Sequence, residues 1–253
     1  MGKKKVWEIY DDLIDSIPDD LTVLECMLGV SWTAVKSENG IGVAKTIKGG
    51  KKGLEIGEIS GLKLKELAKY AKSWNMLEAS LGQAAINSAF NTAPQCADSP
   101  GLTLNKEHEH GKNNAFNLLS EDLVNKKVAV IGHFPEVEKL HDICNLSVLE
   151  RDPWAGDYPD SACEYLLPEQ DFVFITGTAF TNKTMPRLIE LSRKARIILV
   201  GPSVPISEVL FKYGVYIIAG FIVTDEKLIW KAVQEGKKMN IFKHGGEMIC
   251  IRR

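Results

Sequence analysis

The sequence predicts an α/β protein, a doubly wound and mostly parallel sheet preceded by a smaller α+β unit. Three observations predict it. From about residue 113, short β-branched runs that are apolar on both faces alternate with amphipathic segments, the pattern of a parallel sheet covered by helices. Residues 1–92 instead read as a meander followed by helices. Residues 93–112, APQCADSPGLTLNKEHEHGK, are polar and proline-bearing, and read as a linker or surface loop between the two parts.

In the first part, Val6, Tyr10, Leu13, Ile14 and Ile17 recur at helical spacing, and Pro18 ends that helix. TVLECMLGVSWTAVK (22–36) is a strand-like run, SENG (37–40) a turn with positive φ expected at Gly40, and IGVAKTIK (41–48) a returning strand. LEIGEI (54–59) offers a short third strand. KLKELAKYAKSW (63–74) places Leu64, Leu67, Ala68 and Ala71 on one helix face. MLEASLGQAAINSAFN (76–91) is a helix of small side chains, suited to close approach to its neighbours.

In the second part, Phe116, Leu119 and Leu123 mark a helix, and KVAVIGH (127–133) is the first strand. Pro135 starts a helix that places Val137, Leu140, His141 and Cys144 on one face. LSVLER (146–151) is the second strand, and Pro159 opens a short helix through Leu167. DFVFITG (171–177) is the third strand, followed by a helix capped by Thr184. ARIILVG (195–201) is the fourth, followed by a helix from Pro205 closed by Gly214. VYIIAGFIV (215–223) is the fifth, Asp225–Gln234 a helix ended by Gly236, and EMICIRR (247–253) an edge strand.

Composition narrows the function classes. At 253 residues, 45% hydrophobic and 25% charged, the chain is an ordinary globular protein. Its net charge of −2 gives no bulk attraction to nucleic acid or anionic membrane. The start, MGKKKVWEIY, has no apolar run behind its charge, so no secretory signal is expected. The longest apolar run, 215–223, is far short of the ~20 residues of a membrane span. Five scattered cysteines with no C-x-x-C point to free thiols in a reducing cytosol. A small-molecule ligand is the expected partner, with neither nucleic acid nor membrane, and a homo-oligomer is compatible with the composition.

Ligands of doubly wound sheets bind beyond the carboxyl ends of the strands, where strand order reverses. Those ends are Gly132-His133-Phe134, Glu150-Arg151-Asp152, Thr176-Gly177-Thr178 running on to Asn182, and Gly201-Pro202-Ser203. Glycine at three of the four tips allows tight turns and close approach to a ligand, although glycine also simply ends strands. Glu150 and Asp152 stand where dinucleotide and adenosyl sites carry a ribose-binding acid. DPWAGDYPD (152–160) adds Asp157 beside Trp154 and Tyr158, and Glu164 follows. A carboxylate sheltered by those aromatics would have a raised pKa, which makes Asp152 and Glu164 the candidate catalytic acid or base. Thr178 and Asn182 would orient the substrate. Asn87 and Asn91, four apart on one helix face, either pack against a neighbour or offer amides to the ligand.

G-x-G-x-x-G is missing, and His133, Phe134 and Pro135 crowd the place of the pyrophosphate, so neither NAD nor FAD is expected. His133 and Phe134 supply an imidazole and an aromatic wall instead, suited to a compact planar ligand. GIGVAKT (40–46) has the wrong spacing and context for a phosphate loop. His108-Glu109-His110 could ligate a metal but lacks further spaced donors, and reads first as a solvated loop.

ASLGQAAINSAFN (79–91), DPWAGDYPD, TGTAFTNKT (176–184), GPSVPISEVLFKYGV (201–215) and AGFIVTD (219–225) occur in this order. With them the chain resembles the putative heavy-metal chelation family over residues 5–90 and 113–250. The resemblance implies an enolase-N-terminal-like unit packed on a Rossmann-like unit with a site between them, in a cytosolic protein linked to metal handling. It carries over Asn87, Asp152, Asp157, Glu164, Thr176, Gly177, Thr178, Asn182, Gly201, Pro202 and Ser203 as motif positions. The function expected is an enzyme or binding protein with an interdomain site, condensing or hydrolysing a pterin-like or siderophore-like chelating compound. A non-catalytic metal-chelate binder and an S-adenosyl-dependent methyltransferase are the alternatives, and bound metal or metal chelate is compatible with each.

Overall fold

A computed structural model describes residues 6–53, 56–97, 99, 102, 115–237, 241 and 245–253. The first part opens with helix α1 (Glu8–Asp15), which buries Ile9, Tyr10, Leu13 and Ile14, the apolar spacing read from the sequence. Strands β1 (Glu25–Leu28), β2 (Trp32–Lys36) and β3 (Ile41–Lys45) form an antiparallel sheet in sequence order. Helix α2 (Leu64–Ala68), a 3-10 turn at Lys69–Lys72, helix α3 (Met76–Phe90) and the short α4 (Ala93–Cys96) complete it. Asn75 starts α3 by accepting the Leu77 and Glu78 amides on its side chain.

The second part begins with α5 (Ala115–Leu118) and strands β4 (Lys127–Ile131), β5 (Asn145–Glu150) and β6 (Tyr158–Pro159). Helix α6 (Cys163–Leu166), β7 (Phe172–Thr176), α7 (Thr178–Thr181), α8 (Met185–Leu191) and β8 (Arg196–Val200) follow. The chain closes with β9 (Val215–Val223), α9 (Glu226–Gln234) and β10 (Gly246–Arg252). These strands form one sheet in the order β10-β9-β8-β7-β4-β5-β6. All its pairings are parallel except β10 on β9. Strand order reverses beside β4, whose following strand lies on one side and β7 on the other, so the binding crevice of such a sheet opens at the ends of β4 and β7.

Period-two alternation sends each strand's residues into two different cores. Ala129, Val173, Ile175 and Leu199 face a core they share with Tyr10, Leu13, Leu81 and Ile86 of the first part. Val128, Val130, Phe174 and Ile198 face a second core with Phe116, Leu119 and Leu123. The small sheet is split likewise. Val35 and Ala44 join the shared core, while Trp32, Ala34, Ile41 and Val43 pack with Phe221, Ile229 and Val233.

Five expectations change. The run 22–36 is two strands, because the chain turns at Gly29, whose amide bonds the Trp32 carbonyl at 3.0 Å and where a Cβ would strike that same carbonyl. Residues 56–59 form no strand, while Leu54 and Glu55 lie outside the described residues. The segment after Pro135 makes only a 3-10 turn, Val137–Leu140, and the one after Pro205 is 3-10 from Glu208 to Tyr213. Thr184 does not cap α8 with its own side chain. Asn182 Oδ1 instead accepts the Thr184 amide at 3.1 Å and hydroxyl at 2.6 Å. Among the described residues no helix is long and apolar enough to cross a membrane.

Candidate functional site

The carboxyl end of β4 turns at Gly132, which has φ +100. A Cβ there would lie 3.1 Å from Thr176 Cβ, so glycine lets the β4 and β7 tips close together. On the β7 side, the Thr176 and Thr178 hydroxyls share a hydrogen bond of 3.1 Å. Phe134 leans on Phe116, which stacks on Phe174 at 4.4 Å between centroids, so its ring anchors the turn to the second core. Gly201, at the β8 tip with φ +115, is buried, yet a Cβ on it would meet nothing within 4 Å. Open space therefore adjoins the backbone of that tip.

His133 is the centre of the polar arrangement. Its ring packs against Trp154 at 4.3 Å between centroids. Its Nδ1 lies 3.5 Å from Asp157 Oδ2 and its Nε2 lies 3.9 Å from Glu138 Oε1. Nδ1 is buried and makes no hydrogen bond among the described residues. Asp157 is held in place by accepting the Trp154 amide at 3.0 Å, and its side chain is only 7% exposed. Glu150, in the ribose-acid position, spends both oxygens on backbone, taking the His133 amide at 3.1 Å and the Arg151 amide at 2.9 Å. It fixes the imidazole's backbone and has no oxygen left uncommitted to a protein donor.

Five other sequence candidates lie at the joint between the two parts. Asn87 donates to Val43 O at 2.8 Å and Pro202 O at 3.1 Å. Its Oδ1 accepts from Gln83 Nε2 at 3.2 Å, and the same Nε2 donates to Ser203 O at 3.0 Å. Asn91 donates to Val204 O at 2.8 Å and Phe221 O at 3.2 Å, and accepts the Ile206 amide at 2.7 Å. Ser203 Oγ accepts the Lys45 amide at 2.8 Å. Gly177 admits the backbone of Ser203 and Val204, where a Cβ would collide. The amides of Asn87 and Asn91 are thus engaged in tying α3 to the segment after β8.

The two proposed catalytic carboxylates lack the shelter their role required. Asp152 is exposed. Glu164 is clamped by Arg187 at 2.5 Å and 2.8 Å, and that guanidinium pulls its pKa down, opposite to the expected rise. The raised-pKa expectation for Glu164 is therefore corrected: it is a surface ion-pair partner. Of the loop's carboxylates it is Asp157 that is buried, held by the Trp154 amide. Asn182 serves as the bracket for α8 described above. His108, Glu109 and His110 lie outside the described residues.

Sequence reasoning missed Lys183. It is half-buried, carries φ +68, and desolvation lowers its pKa to about 8. Its place directly after Asn182 was the available signal. A groove of about 520 Å³ lies away from the strand tips, among Glu25, Lys36, Ile41, Glu226 and Trp230. Mixed, mutually paired charges such as Lys36 and Glu226 line it.

Residues 114–251 match one family profile and residues 10–90 another, and both are described as putative heavy-metal chelation. The chain is 30% identical over 236 residues to an uncharacterized protein of Methanocaldococcus jannaschii, covering 85% of this chain and 83% of that one. A crystal structure of a DUF364-family protein of unknown function from Desulfitobacterium hafniense is similar at 39% identity and a TM-score of 0.89, covering 99% of this chain and 100% of that one. Another from Pyrococcus horikoshii shares the fold at 23% identity and a TM-score of 0.81, covering 98% and 99%.

Proposed function

Because the chain belongs to the putative heavy-metal chelation family, we propose that it binds a compact, planar metal-chelating compound at the tips of β4, β5 and β7. The observation that carries this reading is the buried, unbonded Nδ1 of His133, facing Asp157 and backed by Trp154. Among the described residues no group of three or more His, Cys, Asp or Glu could hold an ion. Two protein donors leave most of a coordination sphere unfilled, so the metal would arrive with an organic ligand supplying the remaining bonds. The 3.5 Å between Nδ1 and Oδ2 suits neighbouring donors on one ion, which lie roughly 3 to 3.5 Å apart for bonds of about 2.1 Å. The indole of Trp154, 66% exposed, offers a face for a flat ligand.

The His133–Asp157 pair also favours a second reading, in which the imidazole acts as acid or base on the chelator and Asp157 orients it. The adenosyl alternative has less support, since each Glu150 oxygen already accepts one backbone amide and Asp152 is exposed.

Calorimetry with Ni(II) alone, a catechol or pterin alone, and the preformed complex separates these readings. The complex should bind at least tenfold more tightly than either component, and His133→Ala should abolish that difference. Equal binding of the preformed complex by wild type and His133→Ala would overturn the reading. Mass spectrometry of the recovered chelator distinguishes storage, which returns it intact, from turnover.

A further inference from the structure

Between α7 and α8, Lys183 carries a second chemically distinct feature. Lys183 is one of two non-glycine residues with positive φ among the described residues. A side chain held in that conformation is strained, and such positions concentrate where a structure fixes a particular group in place. Here the fixed group is an amine. Nζ donates to Thr181 O at 2.7 Å, lies 4.0 Å from Met76 Sδ, and sits 5.9 Å from the centre of the Trp74 ring. Lys183 forms no ion pair with a carboxylate among the described residues.

Charged groups on the neighbouring elements are committed elsewhere. Lys72 pairs with Asp11 and Lys69 with Glu66, while Glu78 accepts the Ser73 hydroxyl and the Ile56 amide. Trp7 braces Trp74 edge-on at 5.9 Å, and Trp74 remains 59% exposed, so the patch is open to solvent. Thr181 Oγ1, fully buried beside the carbonyl that orients Nζ, has no hydrogen-bond partner among the described residues.

We propose that Lys183 is a nucleophilic amine that forms Schiff bases with small flat aldehydes or ketones lying against Trp74. The neutral amine's lone pair attacks the carbonyl carbon. The two amine hydrogens leave with the carbonyl oxygen as water, and a C=N bond replaces C=O, with no change of oxidation state. A partly desolvated lysine without a carboxylate is suited to this, since ammonium is disfavoured there and its pKa falls to about 8. At pH 8 that leaves on the order of a hundredfold more free amine than an ordinary lysine has. The proposal does not depend on what binds at His133.

The test is reductive trapping of the full chain with substoichiometric pyridoxal and cyanoborohydride, followed by peptide mapping. Lys183 should carry most of the first equivalent, label at least tenfold faster than the average surface lysine, and show a rate midpoint near pH 8. Lys183→Arg, checked for native circular dichroism, should lose that fast phase. Trp74→Ala should slow it several-fold while leaving surface labelling unchanged. Label spread evenly over the lysines, or an unchanged fast phase in Lys183→Arg, would overturn the proposal. If Lys183→Arg fails to fold, the wild-type peptide map alone decides.

Discussion

Asn91 shows how one side chain can hold two structural units in register. It is 1% exposed and makes three hydrogen bonds to backbone groups of residues 204, 206 and 221. Truncation would leave buried backbone without its partners, at about 1 to 3 kcal/mol per orphaned group. Asn91→Ala should therefore lower stability by roughly 3 kcal/mol, read from the urea midpoint at constant m-value. Asn91→Asp keeps the acceptor but removes both donors, and should also destabilise. A loss below about 1 kcal/mol would place the joint elsewhere. Titration at single residues sets the alkaline response. Burial pushes the thiols of Cys96 and Cys163 up to about 11 and that of Cys250 up to about 12. Their folded values exceed the unfolded ones, so their contribution is present below about pH 8.5 and is lost as pH rises toward 12. Lys183 has the opposite sign. Its folded pKa lies below the unfolded one, so the folded state gains between about pH 8 and pH 10.4. The urea midpoint of Lys183→Met should consequently fall faster than wild type over that window. Parallel curves would refute a desolvated amine.

At the scale of elements, α3 organises the joint through what it lacks. Small side chains let its backbone come close to β3 on one side and to the 3-10 turn at Lys69–Lys72 on another. A Cβ on Gly42 would collide with Ser88 N and Ala84 O, and one on Gly82 with Ala71 N. These obstacles are backbone atoms, which cannot rotate aside. Gly42→Ala, ordinarily a mildly stabilising change, should cost about 3 kcal/mol and lower the thermal midpoint by several degrees. A neutral or stabilising result would show that helix and strand can move apart. The small-residue pattern of α3 was legible in the sequence because composition alone reports close packing. So were β4, β7, β8 and β9, whose apolar runs need no partner to be recognised. The turn at Gly29 was not legible, since an uninterrupted strand-like run hides a glycine whose role is set by the returning Trp32 carbonyl. At the site, His133 and Asp157 were named from their positions after strands, but their pairing was not visible. It depends on the 152–160 loop folding back over β4, which no local pattern encodes. Glu164 was misjudged because its partner, Arg187, lies 23 residues on.

Taken whole, the molecule has two sheets but not two independent cores. Tyr10 and Leu13 of α1 belong to the same apolar cluster as Phe180, Leu199 and Ile218. Polar ties cross at the same place. The Tyr10 hydroxyl donates to Phe180 O at 2.7 Å, and the Tyr213 hydroxyl donates to Asp12 Oδ2 at 2.9 Å. A third cluster joins Trp32, Ala34 and Val43 of the small sheet to Phe221 and Ile229 of the large one. Separating the parts would uncover one face of each sheet. At about 25 cal/mol per Å², such apolar exposure outweighs the typical 5 to 15 kcal/mol stability of a whole protein once it exceeds several hundred Å². The chain should therefore unfold in one cooperative step despite its length. Calorimetric and van't Hoff enthalpies should agree, and intrinsic tryptophan fluorescence should follow the same transition as far-UV circular dichroism. Fragments 1–112 and 113–253 made separately should be aggregated or unstructured, and should regain native circular dichroism only when refolded together. A fragment 113–253 that melts cooperatively alone would mean that the large sheet's second core, around Phe116, Phe174 and Ile198, suffices without the first part. The face bearing Ala129, Val173 and Leu199 would then have to be covered by another copy of the fragment, which sedimentation would reveal as a dimer.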